Sequence, residues 1–438
     1  MTTVRGSHDR HFSLNLDFTR FEVVLDHDQI MSKTRNRFGS VSRQTDTLEV
    51  PESFGCAAGF HLSLYFAELL KMNAENDKTS SDFYKSFAYE GPLREGDHGF
   101  SFEEINLSTN SDLNDPELVA QGREFTRRNY IPVLLSHFVM MMYALASRYG
   151  RVVLYHTGES LTKSKSRVRD LATITWLMKW LEGDLVATEN NKIGPKDLKI
   201  VRKIHQLAAK THFQRPKPEL PPLTELQNQV LEVVRKETEH IDLSLAPDWI
   251  TRDDPEFPLY KFTMSAGQWG FMGLLVLVPE MYGMTDRKGL DGYVHQWSVI
   301  GRHLGIEDKF NWGIHYKKTG EVTAFREAFE KVMLPTLKTV DEAGIIMWQA
   351  MIDGMRGYIF LFRFLPVVKL TLKCSGIKGD TLDPLMNWRD RLCYWCLKFS
   401  VDSLCKYEMG RRLANFVIRG CVNYGDRTYL GDRGRTRG

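Results

Sequence analysis

The sequence predicts an all-α fold, a single large multi-helix domain. Apolar residues recur at helical spacing through most of the chain from residue 113 to residue 420. Alternation typical of strands is rare and short, as in FEVVL at 21–25. No repeat of fixed period is visible, so the pattern does not indicate a solenoid.

Three regions follow from the pattern: residues 1–112 as an N-terminal wrapping arm, 113–420 as the helical domain and 421–438 as a disordered Gly/Arg tail. Asn-Asp-Pro at 114–116 and the capping-box pattern at Thr224 mark two helix starts. A connection is predicted at 151–166 and a proline-rich loop at 215–222. Helices are predicted at about 113–150, 167–182, 196–212, 224–239, 259–283, 287–305, 323–333, 339–364, 381–402 and 404–419.

The composition is that of an ordinary globular protein. Of the 438 residues, 42% are apolar and 26% are charged, which is ample material for a buried core. The 58 basic and 55 acidic side chains leave a formal net charge of +3. A nucleic-acid partner would need a concentrated basic excess. We therefore expect no nucleic-acid partner.

Two stretches, 131–147 and 357–372, are the most apolar in the chain. A spanning helix needs about 20 mostly apolar residues. The first stretch contains His137, and the second is interrupted by Arg363 and Pro366. Both are predicted to be buried core helices. The alternative for 357–372 is a patch that lies on a bilayer surface, which would suit a lipophilic substrate.

The N-terminal residues and the cysteines indicate an intracellular, cytoplasmic protein. The chain opens with polar and charged residues and lacks the apolar segment of a secretory signal. Cys393 and Cys396 form a CxxC within a helical pattern, and no second pair follows at zinc-ribbon spacing. We expect reduced, buried structural thiols. The alternative to a purely cytoplasmic location is peripheral contact with the endoplasmic reticulum membrane.

The segment 201–212 places a histidine on a helix face with a small neighbour. Arg202, His205, Ala209 and His212 follow one another at spacings of 3, 4 and 3. Such a face suits a flat cofactor, because the imidazole can reach a metal while Ala209 leaves room. Arg202 would neutralise a propionate group of such a cofactor. The alternative is an ordinary histidine beside a solvated arginine.

A second face lies in the segment 167–180. Arg169, Thr173, Trp176 and Trp180 step by 4, 3 and 4, which combines a cation and a hydroxyl with two large aromatic rings. Such a face can line a ligand pocket. The alternative is core packing by the tryptophans, with Arg169 extending to solvent.

The segment 261–306 begins with an apolar helix that contains Gly267, Gly270 and Gly273. Glycine costs about 1 kcal/mol relative to alanine in a helix, so a close approach to another group is inferred. Gln268 would need a hydrogen-bond partner in these apolar surroundings. The alternative is close packing of one helix on another.

Together these segments resemble the latex-clearing protein family of rubber oxygenases, which includes fungal MpaB-type oxygenases. The order is R-x-L-x-T, then R-x-x-H, then Q-W-x-F, then Y-x-x-x-W-x-x-x-G-x-x-L-G-I at 293–306. The resemblance covers about residues 125–315. It implies a globin-like helical core that binds one b-type haem.

The resemblance also assigns roles to residues. His205 would ligate the iron, and Arg202, Ala209 and Gln268 would contribute to the haem site. Arg169 and Thr173 match the family's distal helix and are the catalytic candidates. The lysine that occupies the sixth iron position in some members is replaced by Ala172. A glutamate proposed as a base in rubber oxygenases is matched only loosely, by Glu159.

The activity implied is haem-dependent cleavage of an isoprenoid C=C bond by O₂ to two carbonyls, with a lipophilic small molecule as substrate. One alternative is a non-catalytic haem protein that senses a gas or a redox state, and another is a helical scaffold without a cofactor. A hydrolase is disfavoured, because G-x-S-x-G, H-E-x-x-H and Walker motifs are absent. His295 and His303, eight residues apart, are a weaker candidate for a second metal pair.

Overall fold

The computed structural model describes residues 81–90, 115–183, 185, 196–211, 218–252, 261–284 and 286–431, all within one compact unit, Cys56–Gly438. In these ranges the regular elements are helices and no strand occurs, so the all-α prediction is confirmed. The α-helices are α1 (Asp82–Lys85), α2 (Pro116–Arg128), α3 (Tyr130–Ala146), α4 (Arg148–Thr157), α5 (Lys163–Glu182), α6 (Lys196–Thr211), α7 (Glu225–Glu237), α8 (Lys261–Leu277), α9 (Arg287–His303), α10 (Trp312–Thr319), α11 (Thr323–Ala328), α12 (Leu334–Lys338), α13 (Glu342–Met355), α14 (Phe364–Cys374), α15 (Trp388–Asp402) and α16 (Glu408–Gly425).

The predicted helix starts are present. The Asp115 carboxylate accepts hydrogen bonds from the backbone N–H groups of Glu117 (3.1 Å) and Leu118 (3.0 Å) at the start of α2. Thr224 and Gln227 form the capping box of α7. These local interactions satisfy N–H groups that the first turn of a helix cannot pair internally.

The segment 113–157 differs from its prediction at two points. The chain bends by 87° between α2 and α3, so the predicted helix 113–150 is divided. The predicted connection at 151–166 is wrong for residues 151–157, which belong to α4, and for residues 163–166, which belong to α5. Ser147 begins this helix by accepting a hydrogen bond from the Gly150 N–H, and Gly158, in the left-handed region at φ +68°, ends it.

Helix α9 lies at the centre of the core. From Gly289 to His303 every residue except Asp291 is buried. Helix α2 crosses α9 where Gly122 and Gly292 meet, and a Cβ on Gly122 would lie 2.4 Å from the Gly292 carbonyl oxygen. Around this crossing α3 packs on α8, and α5 packs on α13. The two glycines therefore allow the backbones of α2 and α9 to touch.

The C-terminal part is more ordered than its composition predicts. Helix α16 continues to Gly425, and a π-helical turn, Asp426–Leu430, follows it. Leu430 is buried, and the Tyr429 ring lies 4.3 Å from the Arg167 guanidinium. The prediction of a disordered tail is thus wrong for residues 421–431. The rest of that tail and the N-terminal arm, except residues 81–90, lie outside the described residues.

The two most apolar stretches are mainly core, as expected. Most of α3 is buried, and α14 is buried from Phe364 to Leu372. In the described ranges no single helix is long and apolar enough to cross a membrane. Helices α2 and α3, which meet at a bend, would be long and apolar enough only if taken together. Cys393 and Cys396 are free thiols on α15 and are only half-buried, whereas Cys374 and Cys405 are buried.

Candidate functional site

A cavity of about 310 Å³ lies between helices α3, α5, α13, α15 and α16. A volume of this size is typical of the lower end of small-molecule sites. Each helix lines it with one face: α3, for example, contributes Leu134, Leu135, Phe138 and Met141 at helical spacing. The lining is almost wholly aliphatic and aromatic, so the cavity suits an apolar molecule.

The few polar side chains in the cavity wall are neutral or paired. The Nε2 atom of His137 lies 2.9 Å from the Tyr293 hydroxyl and 3.0 Å from the Phe271 carbonyl oxygen. Burial lowers the pKa of His137 to about 3, so the ring is neutral at pH 7. Asp170 forms an ion pair with Arg169 and accepts a hydrogen bond from Ser166 at 2.8 Å. The cavity therefore offers a charged ligand no free counter-charge from these groups.

Of the two predicted catalytic residues, the structure brings only Thr173 to the cavity. Its hydroxyl donates a hydrogen bond to the Arg169 carbonyl oxygen at 2.9 Å, one turn back on α5. Arg169 itself does not line the cavity. Its guanidinium group is held by Asp170 and by the hydroxyl of Ser160. The arginine thus fixes the start of α5, and Glu159 nearby is exposed, with Lys165 at 3.9 Å.

The predicted iron ligand lies on α6. The His205 ring is half-buried, and its Nδ1 atom is shielded from solvent and makes no hydrogen bond. Burial lowers the pKa of His205 to about 4, so the imidazole is neutral at pH 7 and its nitrogen lone pair is available to a metal. Arg202 lies one turn earlier. Ala209 belongs to the same helix, but its side chain and the whole of His212 lie outside the described residues.

Helix α6 packs on the end of the central helix α9. His303 there is buried, and its Nε2 atom has no hydrogen-bond partner. Burial, together with the charges of Arg202 and Lys199 on α6, lowers the pKa of His303 to about 4. In the described ranges no group of three or more His, Cys, Asp or Glu side chains is placed to hold a metal ion. His205 and His303 are therefore not part of such a group among the described residues.

Gln268 is part of the core packing. Its Nε2 atom donates hydrogen bonds to the Trp297 carbonyl oxygen (2.8 Å) and to Asn311 Oδ1 (2.9 Å), and its Oε1 accepts one from the Trp312 N–H (2.9 Å). Both amide hydrogens are thus used within the protein, which leaves no donor for a cofactor. The neighbouring Gly267 is exposed, with nothing within 4 Å of a Cβ placed on it.

The predicted site residues therefore lie in three places: Thr173 in the cavity wall, His205 and Arg202 on α6, and Gln268 between α8, α9 and α10. Helix α5 connects the first two places, because it lines the cavity and its Lys179 lies 4.0 Å from Asp197 on α6. No described residue of α6 lines the cavity. The cavity therefore suits a substrate rather than a haem ligated by His205.

Sequence reasoning missed the part of the cavity wall that α15 and α16 supply. These helices contribute Leu397, Val401, Leu413, Ala414, Val417, Ile418 and Cys421. The signal available was the apolar spacing within 388–425, which predicts a buried face but does not indicate what it encloses. Comparisons with protein-family models, with curated proteins and with solved structures find no match to this chain.

Proposed function

We propose that this chain is a b-type haem-dependent oxygenase that cleaves a C=C bond of an isoprenoid-like substrate with O₂. The observation that carries the proposal is the apolar cavity with Thr173, from the R-x-L-x-T helix, in its wall. Burying a prenyl chain there would contribute about 25 cal/mol for each Å² of apolar surface removed from water. A charged substrate would gain no such compensation.

His205 is the residue that would hold the haem iron. Its imidazole is neutral at pH 7, and a nitrogen that no hydrogen bond uses is shielded from water. Arg202, one turn away, is the residue that would pair with a propionate. Haem, when bound, supplies the oxygen chemistry.

The side chains of this protein would exclude water and orient the substrate. The apolar wall excludes water from the substrate. Thr173 keeps acceptor capacity on its hydroxyl after donating to the Arg169 carbonyl, so it can orient a hydrogen-bond donor at the cavity surface. Ala172 has no side-chain group that could ligate iron.

An absorption spectrum of the haem-reconstituted protein tests the cofactor. We expect a Soret band in the wild type and its loss or strong shift in His205→Ala. His240→Ala is the matched control, because His240 is exposed outside the candidate site; its spectrum should equal that of the wild type. An unchanged spectrum in His205→Ala would refute the ligand assignment.

Turnover tests the substrate site separately. Leu134→Trp would fill the cavity, because Leu134 lines it. We expect this variant to keep the Soret band and to lose O₂ uptake and carbonyl formation with a farnesyl or longer isoprenoid. Full activity in this variant would show that the cavity does not hold the substrate.

Two other functions give different results in the same assays. A haem-binding gas or redox sensor would show the Soret band but neither O₂ uptake nor a carbonyl product. A carrier of apolar molecules without haem is favoured by one observation, the absence of described α6 residues from the cavity wall. Such a carrier would bind a fluorescent lipid in the wild type, lose it in Leu134→Trp, and never acquire a Soret band.

A further inference from the structure

Helix α15 exposes a row of large apolar side chains. Trp388, Leu392, Trp395 and Phe399 are exposed and follow one another at spacings of 4, 3 and 4, so they share one face. The rings of Trp395 and Phe399 stack with centroids 5.5 Å apart. Burial of this row would be favourable, yet these side chains stay exposed among the residues that the structure describes.

Helix α16 also exposes a row of large apolar side chains. Met409 is 85% exposed and Phe416 is 77% exposed, and Leu413 and Val417 lie on the same side of the helix. The turn Leu404–Lys406 connects the two helices and packs on both. We call the exposed apolar side chains of α15 and α16, with Phe360, the α15–α16 face. Large exposed apolar patches often mark interaction sites.

The α15–α16 face is continuous with the mouth of the cavity. Leu413, Val417 and Phe360 are exposed at the surface and also line the cavity. Phe360 alone is 70% exposed. A molecule leaving the cavity on this side would therefore meet an apolar surface before it met water.

The charge around the face is positive. Between residues 388 and 425 the sequence contains seven Arg and Lys but three Asp and Glu, although the whole chain has a net charge of only +3. Arg389, Arg391 and Lys406 are exposed, and so is Arg412, which pairs with Glu408. Large apolar side chains on one face with basic residues around them are typical of helices that lie in a membrane interface. An anionic lipid surface would attract these charges.

We propose that the α15–α16 face docks on the surface of an anionic lipid bilayer, with the cavity mouth turned towards the acyl chains. Docking needs only this face; passage of the substrate from the bilayer into the cavity rests, in addition, on the proposed function. The sequence-based alternative placed a bilayer contact at 357–372. In the structure only Phe360 of that stretch belongs to the face, because Phe364–Leu372 is buried.

Flotation of the full-length chain with lipid vesicles tests the docking. We expect it to float with vesicles of phosphatidylcholine and phosphatidylserine, and about tenfold less with phosphatidylcholine alone. The double variant Trp395→Ser/Phe416→Ser should bind the mixed vesicles at least about tenfold more weakly. Leu245→Ser is the matched control, because Leu245 is 57% exposed and lies outside the face; it should float like the wild type.

A second variant, Arg389→Gln/Arg412→Gln, leaves the apolar face intact. We expect it to lose most of the preference for phosphatidylserine and to keep its circular dichroism spectrum. Absence of flotation of the wild type with either vesicle would overturn the proposal. So would a wild-type dimer in sedimentation that Trp395→Ser/Phe416→Ser dissociates, since a second copy would then cover the face.

The Soret spectrum separates this proposal from the proposed function. If docking fails while haem binds through His205, only the membrane proposal is wrong. If the protein docks but shows no Soret band in any preparation, the face still binds bilayers and the oxygenase function is wrong.

Discussion

A single buried amide, that of Gln268, connects three helices. It reaches from α8 to the Trp297 carbonyl oxygen on α9 and to the first turn of α10. Asn311, which also contacts Gln268, begins α10 by accepting hydrogen bonds from the Gly313 and Ile314 N–H groups, both at 3.2 Å. The glutamine thus fixes the residue that caps a helix.

Replacing Gln268 by leucine should therefore destabilise the protein. The Trp312 N–H would lose its partner in a buried position, which costs about 1–3 kcal/mol, and the cap at Asn311 would lose a contact. We expect the free energy of unfolding in urea to fall by about 2–3 kcal/mol. Gln229→Leu is the control, because its amide donates only to Glu225 at the surface, and it should change stability by about 0.5 kcal/mol or less. Equal stability of the two variants would contradict the structural role.

At the scale of elements, the crossing of α2 and α9 depends on two glycines. A Cβ on Gly292 would lie 2.5 Å from the Gly122 backbone N and 2.7 Å from the Leu118 carbonyl oxygen. These are backbone atoms, which a side-chain rotation cannot move aside. The helices would have to separate, and the packing of the core around α9 would separate with them.

We expect Gly292→Ala to lower the free energy of unfolding by about 2–4 kcal/mol, measured by urea denaturation. Gly267→Ala is the matched control. It too places alanine in a helix, but at an exposed position with nothing within 4 Å, so it should be neutral or stabilise by about 0.5–1 kcal/mol. A stable Gly292→Ala protein would mean that α2 and α9 cross at a greater distance.

The same glycines show how far a sequence can predict this fold. Helical periodicity and the caps at Asp115 and Thr224 predict most helices because these signals are local. The glycines that looked significant, at 267–273, include one with open space around it, while the critical pair is Gly122 and Gly292, which are 170 residues apart. Which glycine meets another backbone depends on a tertiary contact, and spacing alone contains no such information.

The candidate site, too, could be predicted from the sequence only in part. The face formed by Arg169, Thr173, Trp176 and Trp180 was predicted to line a pocket, and of these four residues Thr173 lines the cavity. The other walls come from helices far away in the chain, as far as α16, so their convergence was not visible in the pattern. Arg169 was expected at the ligand, but the adjacent Asp170 and Ser160 hold its guanidinium group.

At the scale of the whole molecule, buried histidines couple stability to pH. Burial lowers the pKa of His137 to about 3 and that of His303 to about 4, from an ordinary value of 6.5. In the unfolded chain both rings bind a proton as the pH falls through about 6.5, whereas in the folded protein they stay neutral until about pH 4 or below. Proton binding by the unfolded chain therefore leaves the free energy of unfolding undiminished above about pH 6.5 and lowers it increasingly as the pH falls towards 4.

For His303 alone, this effect lowers the free energy of unfolding by about 2 kcal/mol from pH 7 to pH 5. At pH 5 the ring is mostly protonated in the unfolded chain and mostly neutral in the folded protein. His303→Gln removes this titration, so we expect its free energy of unfolding to fall less than that of the wild type between these two pH values. His240→Gln, at an exposed position, should follow the wild type. The measurement is urea unfolding of the three proteins at pH 7 and pH 5. An identical pH dependence in wild type and His303→Gln would mean that folding does not lower the pKa of His303, against the effect expected from burial and from the charges of Arg202 and Lys199.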